Sequence, residues 1–282
     1  MEQNLSIDGC GNLDLRPRKS LRLDLLLVER GFAESRTKAQ WLIESGCVKL
    51  NGTICTKPSK KVTGNDAIEV AKNLKYVSRA GYKLEGLFEE IQLELFGTVV
   101  CDIGSSTGGF VDFFLQHGVS KVYSVDVNIE QLHEKLRADP RVIQIRANAK
   151  DLVPSLFEDE LDYISVDVSF ISVTKLVHSL KAISSEKTNL IILIKPQFEI
   201  SHGHKGVVRN KLMHFEAIRN VLSAYQSAGF RCKYLTFSKI KGVEGNIEFF
   251  AVLSKAEEKN ICNEITEDDI ITVVERAWED NG

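Results

Sequence analysis

Apolar positions follow two different patterns, which divide the chain into a short first part and a long second part. From about residue 79 onward, short apolar runs alternate with amphipathic stretches of helical period. The runs predict seven strands, at 98–102, 121–126, 142–145, 163–167, 190–194, 230–237 and 247–253. The amphipathic stretches predict helices at 79–91, 110–117, about 171–183 and 211–228. This alternation predicts a doubly wound α/β sheet, and the short helix-free link before the last strand predicts an antiparallel hairpin at one edge.

The chain before residue 79 has a different pattern, which predicts a small α+β unit of about 50 residues. The predicted elements are helices at 21–30 and 36–45, a strand at 48–50 and a closing strand at 66–70. Gly31 and Gly46 end the two helices, and the Ser35 hydroxyl is suited to cap the second. Asn51-Gly52 favours a tight hairpin turn after the first strand.

Composition limits the class of protein. The chain has 282 residues, of which 43% are apolar and 27% are charged, which is typical of a globular protein in water. No wholly apolar run exceeds five residues, and the N-terminus carries Glu2 and Asp8, so we expect neither a membrane helix nor a signal peptide. The six cysteines form no CxxC pair. We therefore expect reduced thiols, a cytoplasmic location and no zinc site.

Charge is unevenly distributed, although the net charge is only −3. Residues 16–83 carry 15 lysines and arginines against 6 acids, whereas residues 256–282 carry 2 against 9. A basic block on an acidic chain favours a polyanion partner, with nucleic acid as the first candidate. The alternative is a basic face that contacts only solvent.

A glycine-rich turn follows the first strand of the predicted sheet. It reads DIGSSTGGF over residues 102–110, and it leads into a helix whose first N–H groups lack partners within the helix. Asp126 ends the next strand, where a carboxylate can accept both hydroxyls of an adenosine ribose, unless it only caps a helix. The pattern predicts an adenosine-containing cofactor and leaves its identity open, because NAD satisfies the same features.

Four ionisable residues lie beside predicted buried elements. Asp167 and Lys195 directly follow two strands, at the edge where ligands bind in such sheets. Glu248 lies inside a predicted apolar strand, and Lys83 lies on the helix before the first strand. Buried charges are normally paired, so a structural ion pair explains each residue taken singly. Two lysines and two acids at one edge favour a catalytic site.

Several segments, in a fixed order, carry a resemblance to a known family. The segments are SRAGYKLEGL, DIGSSTGGF, SVDV, DVSFIS, IKPQFE, KGVVRN and GNIEFF. With them, the chain from about 21 to 255 resembles the TlyA proteins, which join an S4-like RNA-binding domain to an FtsJ-type ribose 2′-O-methyltransferase domain. The stretch LRLDLLLVERGFAESRTKAQWLIESGCVKLNG carries the S4 part of the resemblance.

The resemblance implies a cofactor, a substrate and site residues. The cofactor is S-adenosyl-L-methionine, and the substrate is ribosomal RNA, alone or in ribosomal subunits, methylated on cytidine 2′-hydroxyls. The implied catalytic residues are Lys83, Asp167, Lys195 and Glu248. The implied cofactor-binding residues are Asp102, Gly104, Ser105, Ser106, Gly108, Gly109, Phe110, Asp126 and Asn148. The implied contacts to RNA phosphates are Arg36, Lys38 and Lys49.

The expected fold is a Rossmann-like methyltransferase with a seven-stranded doubly wound sheet and a small N-terminal S4-like domain. The expected divisions are an extension at 1–20, the S4-like domain at 21–75, the methyltransferase domain at 76–255 and an acidic tail at 256–282. Thr266 begins a capping-box-like start to a helix in that tail. His202 and His204 lack a third ligand, so we expect no metal site there.

A ribose hydroxyl holds its proton tightly at neutral pH, so methyl transfer to it requires a base. We assign this role to Lys195 and expect burial and the neighbouring Lys83 to lower its pKa, against the opposite effect of Asp167 and Glu248.

Two other classes are alternatives: a pore-forming haemolysin, which is a label some TlyA relatives carry, and an inactive RNA-binding assembly factor. The lack of a spanning segment argues against the first, and the intact glycine turn and tetrad argue against the second.

Overall fold

The chain folds into two compact units, residues 1–74 and residues 75–282. The computed structural model describes residues 20–44, 47–55, 57–70, 75–200, 206–242, 245–255 and 265–281. Gly46, His202 and His204, which the sequence singled out, lie outside the described residues, as does the extension before residue 20.

The first unit contains short helices and small antiparallel sheets. Its elements are β1 (Leu21–Arg22), α1 (Leu23–Glu29), α2 (Arg36–Glu44), β2 (Val48–Leu50), β3 (Thr53–Ile54), β4 (Lys61–Val62) and β5 (Ile68–Val70). Strand β1 pairs with β4, and β2 lies between β3 and β5. The first helix therefore begins later than predicted, because its first two residues pair as a strand. The strand expected at 66–70 is likewise shortened at its start.

Two local predictions in this unit are confirmed. The Ser35 hydroxyl accepts the N–H of Lys38 at 3.1 Å, so it caps α2. Asn51 and Gly52 have φ values of 52° and 80°, which is the left-handed backbone of a tight hairpin turn.

The second unit is built on one sheet of seven strands among the described residues. Its strands are β6 (Val99–Ile103), β7 (Lys121–Asp126), β8 (Val142–Arg146), β9 (Tyr163–Val166), β10 (Asn189–Ile194), β11 (Phe230–Phe237) and β12 (Phe249–Lys255). Its helices are α3 (Arg79–Glu90), α4 (Gly109–Gln116), α5 (Glu134–Arg137), α6 (Val177–Ile183), α7 (Pro196–Glu199), α8 (Lys211–Ser227) and α9 (Glu267–Asn281).

The strand order is β11-β12-β10-β9-β6-β7-β8. Strands β6 to β10 run parallel to one another, whereas β12 is antiparallel to both β10 and β11. The doubly wound sheet and its antiparallel edge hairpin are therefore confirmed. The chain order reverses between β6 and β9, and ligands of open α/β sheets bind at the carboxyl ends of the strands at such a point.

Apolar side chains cover both faces of this sheet. One face packs against α3 and α4, and the other packs against α6, α8 and α9. The predicted start of α9 is confirmed, since the Thr266 hydroxyl accepts the N–H of Asp269 and the Asp269 carboxylate accepts the N–H of Thr266. Trp278 of α9 donates its Nε1–H to Nδ1 of the buried His214 of α8 at 3.0 Å. The acidic tail thus ends in a helix that belongs to the core.

Candidate active site

Four charged side chains meet at the carboxyl edge of the sheet. Asp167 follows β9 and Lys195 follows β10, where the sequence places them. Glu248 lies one residue before β12 rather than inside a strand. Because β12 is antiparallel, its beginning pairs with the end of β10, so Glu248 lies at the same edge as the other two. Lys83 reaches this edge from α3.

The four residues form two close ion pairs. Lys83 Nζ lies 2.5 Å from Glu248 Oε2, and Lys195 Nζ lies 2.6 Å from Asp167 Oδ1. Lys195 also donates to the Ser169 hydroxyl at 3.0 Å. The side chains are nearly enclosed, with 5% of Lys83, 8% of Lys195 and 2% of Glu248 exposed. The structure therefore brings together all four residues that the sequence singled out.

The acids determine the protonation of Lys195. Burial alone would lower the pKa of Lys195, but Asp167 and Glu248 outweigh burial and raise this pKa above 10.5, with Arg79 opposing them. Of the two opposing effects expected from the sequence, that of the acids is therefore the larger, while Lys83 is itself paired with Glu248. Burial alone would raise the pKa of Asp167, but Lys195 and Lys83 hold it below its ordinary value.

The glycine turn brings the backbone close to the neighbouring elements. Gly104 has a φ of +81°, and a Cβ there would lie 2.6 Å from the carbonyl oxygen of Asp167. Gly108 has a φ of +93°, and a Cβ there would lie 2.3 Å from a side-chain atom of α5. Gly104 therefore requires glycine for conformation and for space, since the nearby atom is backbone, whereas Gly108 requires it for conformation. Gly109 begins α4 and packs tightly against Ser78 and the first turn of α3.

Polar groups hold the shape of the same turn. Ser105 is buried, and its hydroxyl accepts from Ser124 at 2.7 Å. Asp126 accepts the N–H of Ser106 at 2.9 Å and the N–H of Asn128 at 2.9 Å. Each of its two carboxylate oxygens therefore holds one backbone N–H group in place. Asp126 also remains partly exposed, which leaves its oxygens further accepting capacity.

Asp102 carries an unsatisfied buried atom. Its Oδ1 accepts from the Ser165 hydroxyl at 2.6 Å, whereas its Oδ2 is buried and has no hydrogen-bond partner among the described residues. Burial raises the pKa of Asp102 to about 7, with Asp167 and Asp126 adding to the rise and Ser165 opposing it. A buried carboxyl with an unpartnered oxygen and a raised pKa favours a ligand that brings a positive charge or an N–H donor.

Two cavities open at this edge. The larger, of about 730 Å³, borders the four charged residues, Asp102 and Phe110. The smaller, of about 490 Å³, borders Asp126 and Asn148. The residues that border both cavities are Gly104, Ser106, Asp167, Ser169 and Phe170. Together the cavities have the size and the mixed apolar and polar lining of a site for a nucleotide-sized ligand.

Several residues of the larger cavity were not predicted as site residues: Arg79, Ser169, Phe170 and Gln197. Phe170 is the most unusual, because the residue is 92% exposed and its φ is 66°. A bare aromatic ring on a left-handed backbone is costly and often marks a binding site. Its position in DVSFIS, just after Asp167, was the available signal.

In the first unit, the three cations implied for RNA have different surroundings. Arg36 donates to the buried Asp24 at 3.1 Å while its guanidinium stays half exposed. Lys38 Nζ lies 3.6 Å from the centre of the Trp41 ring, and burial lowers the pKa of Lys38. Lys49 is exposed on β2.

Asp24 also orients a cation that the sequence did not single out. Its carboxylate accepts both Nε and Nη2 of Arg22 at 2.9 Å, and it accepts the amide of Gln40 at 2.9 Å. Arg22 and Arg36 are therefore held on one carboxylate with part of each side chain exposed.

Metal-binding clusters and membrane helices are both missing from the part of the chain that the structure describes. Within those ranges, no group of three or more His, Cys, Asp or Glu side chains is placed to hold a metal ion. Within the same ranges, no helix is both long and apolar enough to span a membrane.

The sheet order and the glycine turn together define a Rossmann-like methyltransferase domain. The profile of the FtsJ-like methyltransferases matches residues 76–255, and the profile of the S4 domain matches residues 21–68. The chain belongs to the FtsJ-like methyltransferase family and, with its S4 domain, to the TlyA proteins within it.

Relatives that match four-fifths or more of the chain carry two kinds of names. Hemolysin A of Brachyspira hyodysenteriae is 44% identical over 82% of this chain and 98% of its own. The 16S/23S rRNA (cytidine-2′-O)-methyltransferase TlyA of Mycobacterium tuberculosis is 34% identical over 81% of this chain and 88% of its own. A solved structure of a candidate hemolysin from Streptococcus thermophilus has a TM-score of 0.71 at 35% identity, covering 94% of this chain and 97% of its own.

Proposed function

We propose that this protein transfers a methyl group from S-adenosyl-L-methionine to the 2′-hydroxyl of a cytidine in ribosomal RNA. The observation that carries the proposal is the pairing of two lysines with two acids in the cavity beside the glycine turn. The activity in the name of the relative from Mycobacterium tuberculosis supports ribosomal RNA as the substrate. Ribosomal subunits are then the partner, and the cytoplasm is the place of action.

The glycine turn and the acids around it suit S-adenosyl-L-methionine. The unpartnered Oδ2 of Asp102 suits the ammonium group of the donor, and Asp126 suits its ribose hydroxyls. Asn148, beside the smaller cavity, suits the adenine ring. The further proposed contacts are Gly104, Ser105, Ser106, Gly108, Gly109 and Phe110. When bound, the donor supplies a methyl group that is already activated by the positive charge of its sulfonium.

We assign Lys195 as the base. Its neutral form accepts the proton of the 2′-hydroxyl while the hydroxyl oxygen bonds to the methyl carbon and the carbon–sulfur bond breaks. Asp167 and Ser169 orient the Lys195 amine, and Glu248 holds Lys83 at the same edge. Because the acids raise the pKa of Lys195, the rate is expected to rise with pH as the neutral fraction grows.

In this proposal the first unit binds RNA and the second unit carries out methyl transfer. Residues 21–75 form the S4-like domain and hold RNA through phosphate contacts of Arg36, Lys38 and Lys49. Such contacts position the RNA without reading its sequence. Residues 76–255 carry the chemistry, and the helix of the tail at 256–282 supports their fold.

Incubation with unmodified ribosomal subunits and methyl-labelled S-adenosyl-L-methionine tests the proposal. We expect label in ribosomal RNA at a cytidine whose 2′-O-methyl group protects the adjacent phosphodiester from alkaline cleavage. Label on a base, or no label, would contradict the proposal. Because relatives carry hemolysin names, the purified RNA-free protein is also tested on red cells, where we expect no lysis.

A further inference from the structure

Glu199 connects the two loops that carry the proposed catalytic groups. It ends α7, which begins directly after Lys195. Its Oε2 accepts the Ser172 hydroxyl at 2.5 Å, and its Oε1 accepts the N–H of Val173 at 2.9 Å. Both partners lie on the loop that follows β9 and begins at Asp167. A single half-buried carboxylate therefore joins the loop after β9 to the loop after β10.

Direct pairing between β9 and β10 ends before these loops. The last paired residues of the two strands are Val166 and Ile192. Beyond them, the N–H of Asp167 donates to the carbonyl oxygen of Ile103 in β6, and Ile194 pairs with Phe249 of β12, so each strand end is tied to a different strand. Side-chain contacts supply the direct link between the loop after β9 and the loop after β10.

Two further contacts fasten the same loops. The Tyr225 hydroxyl of α8 donates to the carbonyl oxygen of Val173 at 2.9 Å in the core. The rings of Phe170 and Phe198, one from each loop, have centres 5.4 Å apart. With Glu199 on its N–H and Tyr225 on its carbonyl, Val173 is fixed on both sides. The loop after β9 is thus anchored to the loop after β10 and to α8.

We propose that Glu199 is a positioning residue of the methyl-transfer site, whose carboxylate locks the two loops together and so holds Lys195 against Asp167 and Ser169. The inference rests on the function proposed above. Glu199 borders neither cavity, so it acts through the loops rather than by contact with donor or RNA.

Glu199→Ala is expected to change the turnover rate and its pH dependence but not the affinity for the donor. Lys195 is faced by Asp167 and Glu248, which raise its pKa, and by Arg79, which lowers it. Loosening the loops weakens the contact with Asp167, so the pKa of Lys195 falls and the midpoint of the rate–pH profile moves to lower pH. The turnover rate falls by about 10- to 100-fold because the amine is misplaced. The affinity for S-adenosyl-L-methionine stays within about twofold of wild type, since Glu199 does not border its cavity.

Three further variants make this test specific. Glu199→Gln keeps an oxygen for the N–H of Val173 and an amide that can donate to Ser172, so it is expected to restore most of the rate. Ser172→Ala removes one of the two hydrogen bonds of Glu199, together with the cap that the Ser172 hydroxyl places on the N–H of Thr174, and is expected to give a smaller loss than Glu199→Ala. Asp162→Ala is the matched control, because Asp162 also accepts a backbone N–H, that of Val99 at 2.8 Å, at the opposite end of β9. It is expected to keep the wild-type rate and pH profile.

Turnover, rate–pH profile and donor affinity are measured on ribosomal subunits, and urea unfolding verifies that each variant is folded. A wild-type rate and profile for Glu199→Ala, or equal losses in Glu199→Ala and Asp162→Ala, would overturn the inference. So would a lower rate with an unshifted profile, which indicates a purely structural role. If Glu199→Ala does not fold, Ser172→Ala carries the same test.

The wild-type protein separates this inference from the proposed function. A wild-type protein that transfers no methyl group contradicts the proposed function, whereas an active protein whose rate and pH profile do not change in Glu199→Ala contradicts only this inference.

Discussion

Lys195 shows how individual contacts control the proposed chemistry. Its amine lies 2.6 Å from Asp167 and faces Glu248, and these acids outweigh the burial that would otherwise favour the neutral base. The sequence predicts that these residues share an edge, because the carboxyl ends of parallel strands converge there. The sequence does not predict that Lys83 pairs with Glu248, or that the acids outweigh burial at Lys195. Both depend on differences in distance of a few ångström.

The pH dependence of donor binding tests the role proposed for Asp102. Its pKa is about 7, so its ionised fraction grows as the pH rises through neutrality. Only the ionised form attracts the ammonium group of the donor, so the affinity for S-adenosyl-L-methionine is expected to rise several-fold from pH 6 to pH 7.5. Calorimetric titration at several pH values measures this change. Asp102→Asn should bind more weakly and without this dependence, and a wild-type affinity that is constant over this range would contradict the assignment.

At the scale of elements, the sequence predicts where helices and strands lie better than it predicts which elements they pack against. The period of apolar residues predicts α8 and the helix of the tail, and the capping residues at Thr266 place the start of α9 correctly. Nothing in the period shows that α9 covers α8, because an amphipathic face fits any apolar surface. The apolar neighbours of Glu248 predict that it lies inside a strand, whereas β12 begins one residue later, at Phe249.

The contact between α9 and α8 carries an element-scale prediction. Trp278→Ala removes an indole packed on the core and leaves Nδ1 of the buried His214 without its donor. We expect the free energy of unfolding to fall by about 1–3 kcal/mol. Urea unfolding followed by circular dichroism measures it. Glu279→Ala, at an exposed neighbouring position, is the control and should stay within about 0.5 kcal/mol of wild type. Equal stability of Trp278→Ala and the control would contradict the packing role of α9.

At the scale of the whole molecule, charge separates the two proposed tasks. The basic block lies mostly in the first unit, and the cavities with the paired lysines and acids lie in the second. Loss of exposed cations from the first unit should therefore weaken RNA binding without affecting the donor.

The replacement of Lys49, Lys57 and Lys60 by alanine tests this separation, since all three side chains are exposed. We expect weaker binding to a ribosomal RNA fragment and a salt dependence that is shallower by about 2 in log–log slope. Fluorescence anisotropy between 50 and 200 mM salt measures both. The control removes the same charge from the second unit at the exposed Lys181, Lys187 and Lys233. Similar losses in both triple variants would contradict a specific role of the first unit, and donor affinity should be unchanged in each.

Most of the fold and the residues of the candidate site could be predicted from the sequence, because strand ends and a glycine turn leave strong local patterns. The contribution of Phe170 could not, since its exposure and its positive φ depend on how the loop after β9 is anchored. The same holds for Arg22, because the Asp24 carboxylate that orients it is itself held by Arg36 and Gln40 of α2. Such features arise from contacts between segments that lie apart in the chain or from loop conformation, which periodicity does not record.

The most direct test of the proposed site is Lys195→Ala, measured for donor binding and for methyl transfer side by side. Lys195 borders the larger cavity as the proposed base, while the donor contacts are assigned to other residues. We therefore expect an affinity for S-adenosyl-L-methionine near that of the wild type, and a loss of at least about 100-fold in methyl transfer to ribosomal subunits. A variant that binds the donor and still transfers methyl groups at a rate near the wild type would contradict the assignment of Lys195 as the base.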